Sequence, residues 1–119
     1  MADVISMNGV GGCAYVTMHL KSGSTYAVGN AVALTGNNEV GFATTAGDDL
    51  FGIINAIDDD GLATIQVSGF AENVVAASAV TVGAKAGVDK AGKIVAATAG
   101  RTAVVTAYDS GSKLCTVML

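Results

Sequence analysis

One segment of this chain is written twice, and that duplication restricts the fold more than any other feature. Residues 27–67 recur in altered letters as residues 81–119, with Val28-Gly29 aligned to Val82-Gly83 and small shifts in the second half. The repeated letters are apolar residues and turn residues, and no combination of acid, base and nucleophile recurs with them. The duplication therefore indicates a repeated architectural unit.

Size and composition favour one domain made of short strands. The 119 residues can bury one modest core, so we expect a single β domain over residues 1–119. Hydrophobic residues make up 51% of the chain but aromatic residues only 5%, and glycine occurs 16 times while proline is absent. This mixture is typical of many short strands with small side chains, joined by glycine turns.

Alternation and turn residues locate the strands. Apolar side chains alternate with polar ones in the segment 13–20, which predicts a strand with one buried face. The predicted buried side holds Ala14, Val16, Met18 and Leu20. An Asp-Gly pair closes the segment 58–61 and predicts a tight hairpin. No segment shows a convincing helical stripe.

These observations predict an all-β fold. We expect a small β-barrel or a two-sheet sandwich built from the duplicated unit and one leading strand, because closure removes unpaired strand edges. Residues 1–12 fall outside both copies and contain Gly9, Gly11 and Gly12. This segment is therefore expected to be a flexible N-terminal arm that becomes ordered against a partner.

The charge of the chain argues against polyanionic partners. The formal net charge is −4 and the pI is about 4.5, so no attraction to nucleic acid or to an anionic membrane is expected. Charged residues make up only 13% of the chain, against roughly a quarter in an average soluble domain. A subunit that buries several faces in an assembly explains this deficit, so self-association is expected.

The N-terminus and the cysteines indicate synthesis in the cytoplasm. No basic region followed by an apolar run is found near Met1, so no signal peptide or membrane span is expected. Cys13 and Cys115 lie outside any CxxC spacing, and in a reducing compartment both are expected to be small buried hydrophobic residues without a disulfide or a metal.

The residues that could carry catalysis form no recognisable pattern. His19 has no partner near it in sequence, and no serine lies in a Gly-x-Ser-x-Gly elbow. We therefore interpret His19 as a surface or interface residue and predict that the chain is not an enzyme, with no cofactor and no metal. The glycines of residues 9–12 precede a strand and do not open a helix, so they lack the context of a phosphate-binding loop.

Clusters of like charge are interpreted as solvated turns. The pair Asp48-Asp49 and the run Asp58-Asp59-Asp60 could in principle collect calcium, but their spacing does not fit the helical calcium loop. The three lysines that gather around one turn are Lys85, Lys90 and Lys93. Asp89 interrupts them, so a solvated hairpin is expected there as well.

Several short segments share a recognisable pattern of glycine and apolar residues, and they are residues 28–34, 40–44, 51–54, 82–89 and 92–94. Together these segments resemble the capsid cement, or head decoration, proteins of tailed bacteriophages. They are glycine and apolar motifs within residues 27–97. The chain departs from the lambda-type decoration protein, because it has no proline-rich character and no clear helical subdomain.

The resemblance implies a structural virion protein on the outside of an icosahedral head. Its expected partners are the major capsid protein and itself, as a homotrimer at three-fold and quasi-three-fold positions. The family's flexible N-terminal arm would fall on residues 1–12. The capsid contacts expected from this comparison are Ala2, Asp3, Val4, Ile5, Ser6 and Met7.

Two other interpretations remain open from the sequence. The same β-repeat could serve another phage structural component, such as a tail module or the base of a head fibre. A carbohydrate-binding module would also be a small acidic β-barrel, with Tyr15, Tyr26 or Tyr108 as the sugar-contacting residues.

Overall fold

The computed structural model describes residues 13–77, 80–97, 100 and 103–119, and the regular elements of these residues are all β-strands. The predicted arm, residues 1–12, lies outside the described residues. The strands are β1 (Ala14–Leu20), β2 (Ala31–Gly36), β3 (Glu39–Gly41), β4 (Asp48–Asp49), β5 (Gly52–Ile57), β6 (Leu62–Ser68), β7 (Phe70–Val75), β8 (Ala86–Val88), β9 (Ile94–Ala96), β10 (Val104–Asp109) and β11 (Leu114–Met118). The all-β prediction is confirmed.

Five strands of the first half of the chain close a barrel. Its hydrogen-bonded order is β1-β3-β2-β5-β6, and β6 returns to pair with β1. The β1–β3 pairing is parallel, whereas the other four pairings are antiparallel. The predicted barrel is thus present, and it is closed within the first half of the chain.

The second half of the chain repeats this strand order, but two of its strand pairings are reduced to single bridges. Its sheets are β10-β11-β7 and β4-β8-β9. A parallel bridge between Ala76 and Ile94 joins β7 to β9, and an antiparallel bridge between Lys85 and Val104 joins β8 to β10. These bridges stand where the first half has its β1–β3 and β2–β5 pairings, so the order β7-β9-β8-β10-β11 corresponds to that of the barrel.

Cross-strand register confirms the internal duplication. The pair Leu34 and Val40 in the β2–β3 hairpin recurs as Val88 and Ile94 in the β8–β9 hairpin. The pair Ile54 and Ile65 recurs as Val105 and Val117, and in both places the register shifts directly afterwards. Two hairpins with matching pairs and a matching bulge define one duplicated β-unit.

The structural repeat also includes a strand that the sequence comparison placed outside it. Met18 of β1 lies opposite Ala63 of β6, and Val74 of β7 lies opposite Cys115 of β11. β7 is therefore the counterpart of β1, and each unit has its own leading strand. We name residues 14–68 the first repeat and residues 70–119 the second repeat.

Each repeat has a small core, and the two cores correspond position by position. Six fully or nearly fully buried side chains form the core of the first repeat. With their counterparts in the second repeat they are Met18 and Val74, Val32 and Ala86, Val40 and Ile94, Ile54 and Val105, Ala63 and Cys115, and Ile65 and Val117. Each buried Val or Ile contributes on the order of 1.5–3 kcal/mol, so small side chains suffice to hold each unit.

The repeats pack against each other through the first repeat's outer face. Side chains from that face join the core of the second repeat, and they are Ala31, Ala33, Ala43, Leu50 and Ile53. β4 also pairs with β8, where Asp48 lies opposite Val88. We call this contact the inter-repeat interface.

The predicted buried face of β1 is only partly buried. Met18 is buried and Leu20 is half-buried, but Ala14 and Val16 are exposed. The reason is that β1 extends past its neighbour, since only His19 and Leu20 pair with β3. The prediction was therefore wrong for the first half of this strand. In the part of the chain that is described, we find no helix long and apolar enough to cross a membrane.

Candidate interaction surface

A largely apolar open surface lies between β1 and the β2–β3 hairpin. It is a groove of about 520 Å³ lined by Val16, Met18, Leu34, Gly36, Asn37, Asn38 and Phe51. Leu34 and Val16 are exposed there, although both are apolar strand residues. We call this surface the apolar groove. An exposed apolar concavity of this kind marks an interaction site more often than a scattered apolar side chain does.

The backbone geometry of β1 explains why the groove is open. Residues 14–17 pair with β6 on one side, and on the other side no described strand lies beside them. The His19 N–H donates to the Asn38 carbonyl oxygen at 3.0 Å and closes the barrel only at this level. An unpaired strand edge of this kind can accept another extended segment.

The predicted capsid contacts lie beside this edge in sequence but outside the described residues. They are Ala2, Asp3, Val4, Ile5, Ser6 and Met7. Residues 1–12 join the described structure at the exposed Cys13, which directly precedes β1. The arm therefore joins the barrel at the end of β1 whose edge is unpaired.

The apolar groove was missed by the sequence comparison because its residues look like core residues. Leu34 aligns with Val88, and both were assigned to strands. Val88 is fully buried and Leu34 is exposed. The difference arises from what covers each hairpin, and a repeat alignment carries no such information.

The histidine and the acidic residues are not assembled into a reactive group. His19 is exposed. The Asp48 carboxylate accepts backbone N–H groups of Thr44 and Thr45, both at 3.2 Å, so it stabilises a turn. Asp60 accepts the N–H of Leu62 in the β5–β6 turn. Within the described ranges, no group of three or more metal-ligating side chains is found.

The cysteines differ in environment. Cys115 is buried in the second repeat, and burial raises the pKa of its thiol to about 11. Cys13 is exposed, contrary to the prediction that both would be buried, because it precedes the open end of β1. Its sulfur accepts a hydrogen bond from the Gln66 amide at 3.7 Å. Both cysteines are free thiols in the structure.

The lysine-bearing hairpin is organised by Asp89. The Asp89 carboxylate accepts the N–H groups of Ala91 at 2.8 Å and Lys93 at 2.9 Å, which shapes the β8–β9 turn. Lys85, Lys90 and Lys93 are exposed around it. The hairpin matches the predicted solvated turn.

The tyrosines proposed for sugar binding lie on separate elements. Tyr26 packs against Phe42 with ring centroids 4.7 Å apart, and its hydroxyl donates to the Lys21 carbonyl oxygen at 2.6 Å. Burial is the main cause that raises the Tyr26 pKa. Tyr15 lies on β1 of the first repeat and Tyr108 on β10 of the second. The three rings therefore belong to three different local surfaces.

Comparison with known proteins gives no relative: no family model, no curated protein and no solved structure matches this chain. The functional assignment therefore depends on the surfaces described above and on the resemblance carried by the sequence motifs.

Proposed function

We propose that this chain is a structural virion protein that binds the outside of a tailed-phage icosahedral head and cements the major capsid protein shell. The observation that carries the proposal is the apolar groove with its open β1 edge, located where the N-terminal arm joins the barrel. The phage resemblance and the charged content of 13% support an assembled subunit. The protein would be made in the host cytoplasm and would end on the capsid exterior.

The proposed mechanism uses interface area and no chemistry. The arm, with its apolar residues Val4, Ile5 and Met7, packs against the capsid, while faces of the β-domain hold copies of the chain together as a homotrimer. Each copy that bridges neighbouring capsid subunits binds the closed shell and not the opened one. Ligand binding of this kind raises the free energy of shell opening by mass action.

The test is a binding assay on heads prepared without the chain. Purified protein is mixed with these heads, the heads are sedimented, and bound protein is measured, with cryo-electron microscopy locating it. We expect density on the head exterior and a higher temperature of head opening. Binding to tails or to a fibre base, or absence from particles, would contradict the cement proposal.

A matched pair of variants tests the role of the arm. The first carries Val4→Asp, Ile5→Asp and Met7→Asp, and the second carries Asn8→Asp, Gly11→Asp and Gly12→Asp, which lie outside the expected contacts. Both add three negative charges to the arm, but only the first removes its large apolar side chains. We expect the first to lose head binding by at least tenfold and the second to retain it. Equal binding by both would exclude the arm as the apolar capsid contact.

A further inference from the structure

The inter-repeat interface uses different faces of the two repeats. The Ala31 N–H donates to the Gly92 carbonyl oxygen at 2.8 Å, and the Val75 N–H donates to the Gly29 carbonyl oxygen at 3.1 Å. A third bond runs from the Ala43 N–H to the Asp89 carbonyl oxygen at 3.2 Å. The first repeat thus contributes one face, and the second contributes another.

Because the repeats correspond, each of them has both faces. We name the face used by the first repeat the head face and the face used by the second the tail face. These two names refer only to head-to-tail association of chains and not to the head or tail of a phage. The head face of the first repeat contains Gly29, Asn30, Ala31, Phe42 and Ala43, with counterparts Gly83, Ala84, Lys85, Ala96 and Ala97 in the second repeat. The tail face of the second repeat contains Ala71, Val75, Val88, Asp89 and Gly92, with counterparts Val16, His19, Leu34, Thr35 and Asn38 in the first.

Among the residues that the structure describes, the second head face and the first tail face are uncovered, and on the head face Gly83, Lys85 and Ala96 are exposed. Val88 is 0% exposed and its counterpart Leu34 is 57% exposed. Ala71 is 2% exposed and its counterpart Val16 is 38% exposed. A turn position next to the head face shows no such contrast. Val28 and its counterpart Val82 are 62% and 59% exposed.

The sizes of facing side chains are complementary across the two uncovered faces. Within the chain, the Phe42 ring lies so close to Gly92 that a Cβ there would be 2.7 Å from Phe42 Cδ1. At the uncovered positions the large residue becomes Ala96 and the glycine becomes Asn38. The Asn38 side chain occupies space that is empty at Gly92, and Ala96 frees the space that the Phe42 ring fills. The two backbones could therefore approach each other as closely as they do within the chain.

Charge is also complementary. The Ala31 N–H donates to the Gly92 carbonyl oxygen, and Lys93 is the next residue in the chain. At the uncovered positions these residues become Lys85 and Glu39. Lys85 is exposed in the described structure, and Glu39 bonds to the Thr35 hydroxyl at 2.9 Å on the tail face. Docking by the same geometry would bring a cation to a carboxylate in place of Ala31 and Lys93.

Two of the three backbone hydrogen bonds differ. The Ala97 N–H, the counterpart of the Ala43 N–H, already donates to the Lys85 carbonyl oxygen at 3.0 Å within its own repeat. In the first repeat, His19 N–H already donates to the Asn38 carbonyl oxygen, whereas its counterpart Val75 donates across the inter-repeat interface. The Asn38 oxygen keeps a second lone pair, as the Gly92 oxygen does in accepting both Ala31 N–H and the Asn30 amide. The Lys85 N–H can therefore dock on Asn38 without opening the barrel.

We propose that copies of this chain associate head to tail, with the second-repeat head face around Lys85 of one copy on the first-repeat tail face of the next. The interface would bring the same two faces together between chains, and it would keep one of the three backbone hydrogen bonds, with Lys85 N–H and the Asn38 oxygen in place of Ala31 N–H and the Gly92 oxygen. A contact between two different faces propagates in one direction and produces a closed ring where its rotation closes. This inference does not depend on the phage role, because it concerns the isolated protein.

The native mass of the purified chain and of three variants tests this geometry. Leu34→Asp places a charge on the tail face, and Lys85→Glu places a second carboxylate beside Glu39. Ile57→Asp is the matched control, since Ile57 is an exposed apolar residue at the far end of β5. We expect an oligomer for the wild type and Ile57→Asp and a monomer for the other two, all with unchanged circular dichroism. A monomeric wild type at micromolar concentration, or an oligomeric Leu34→Asp, would overturn the proposal.

Two further measurements separate head-to-tail association from a symmetric dimer contact. The Leu34→Asp chain keeps an intact head face and the Lys85→Glu chain keeps an intact tail face, so mixing them is expected to give a one-to-one dimer by native mass spectrometry. Adding Glu39→Lys to Lys85→Glu is expected to restore the oligomer by reversing the charge pair. A mixture that stays monomeric, or a charge reversal without recovery, would refute the assigned faces.

Discussion

Gly92 is the position where the packing of the two repeats is most demanding. Its φ is +75°, in the left-handed region that side chains with a Cβ rarely adopt. An added Cβ would lie 2.7 Å from Phe42 Cδ1 and 3.1 Å from Cζ, and closer still to Cε1. The neighbouring atoms belong to a ring that also packs on Tyr26. Gly92→Ala therefore combines a backbone cost with overpacking.

The expected destabilisation follows from these two contributions. A left-handed conformation costs an L-residue about 1–2 kcal/mol, and forcing an extra methyl group into a packed contact costs about 1–3 kcal/mol. Their sum is about 2–5 kcal/mol, which is a large share of the stability of a domain this size. We expect the melting temperature to fall by roughly 10–20 °C.

Thermal and urea unfolding followed by circular dichroism measure this loss, and Asn38→Ala is the matched control. Asn38 is the counterpart of Gly92 and has a φ of 55°, but its side chain is exposed, so the alanine keeps only a backbone cost of about 1 kcal/mol. In a Phe42→Leu background, Gly92→Ala is expected to lose less stability, because the ring is absent. The reasoning is refuted if Gly92→Ala is no worse than Asn38→Ala, or if the Phe42→Leu background changes nothing.

Three further predictions concern other parts of the molecule. Gln66→Met is expected to destabilise the fold by about 1–3 kcal/mol in urea unfolding. The reason is that the buried Gln66 amide donates to Phe70 O at 2.8 Å and to Ser68 O at 3.1 Å in the connection between the repeats. No loss of stability would show that this connection does not need the amide. Iodoacetamide at pH 8 is expected to modify Cys13 alone in the folded protein and Cys115 only after unfolding, as read by mass spectrometry, since burial raises the Cys115 pKa to about 11. Hydrogen bonds from Ser112 Oγ and the Gly111 N–H lower the Asp109 pKa below its ordinary value of 3.8. Their stabilising effect is therefore present above pH 3.8 and is lost as the pH falls through the lower pKa of the folded state. Ser112→Ala is expected to raise the Asp109 pKa, as measured by NMR titration of the carboxyl group.

The sequence predicts the fold better than it predicts the exposed surface. Apolar alternation and the duplicated letters led to an all-β barrel with a repeated unit, because these patterns follow from local geometry. The correspondence of β1 with β7 was not visible, since Met18 and Val74 share a role in the core but few neighbouring letters match. The sequence did not predict that Val16 and Cys13 are exposed. The alternation of residues in β1 does not show that β3 pairs only with His19 and Leu20.

The interaction surface could not be predicted from the sequence, because its residues differ from core residues only in what covers them in the folded chain. Leu34 and Val88 align and pair identically within their hairpins, yet only Val88 is covered by the other repeat. A sequence repeat identifies equivalent positions, and burial then identifies which of the equivalent positions has lost its partner. Positions such as Leu34, which have no cover although their counterparts are buried, form the proposed binding surface.

The differences between the repeats have a physical reason under head-to-tail assembly. If both repeats had the same residues, a head face would fit its own chain and a neighbouring chain equally well, and misregistered contacts would compete with folding. Phe42 of one chain facing Asn38 of another would clash where Gly92 accepts the ring, and Ala31 facing Glu39 would leave the carboxylate without Lys85. Such mismatches give specificity by penalising wrong pairings. Under the proposed assembly, the differences at Phe42 and Ala96, at Gly92 and Asn38 and at Ala31 and Lys85 would separate the contact within a chain from the contact between chains.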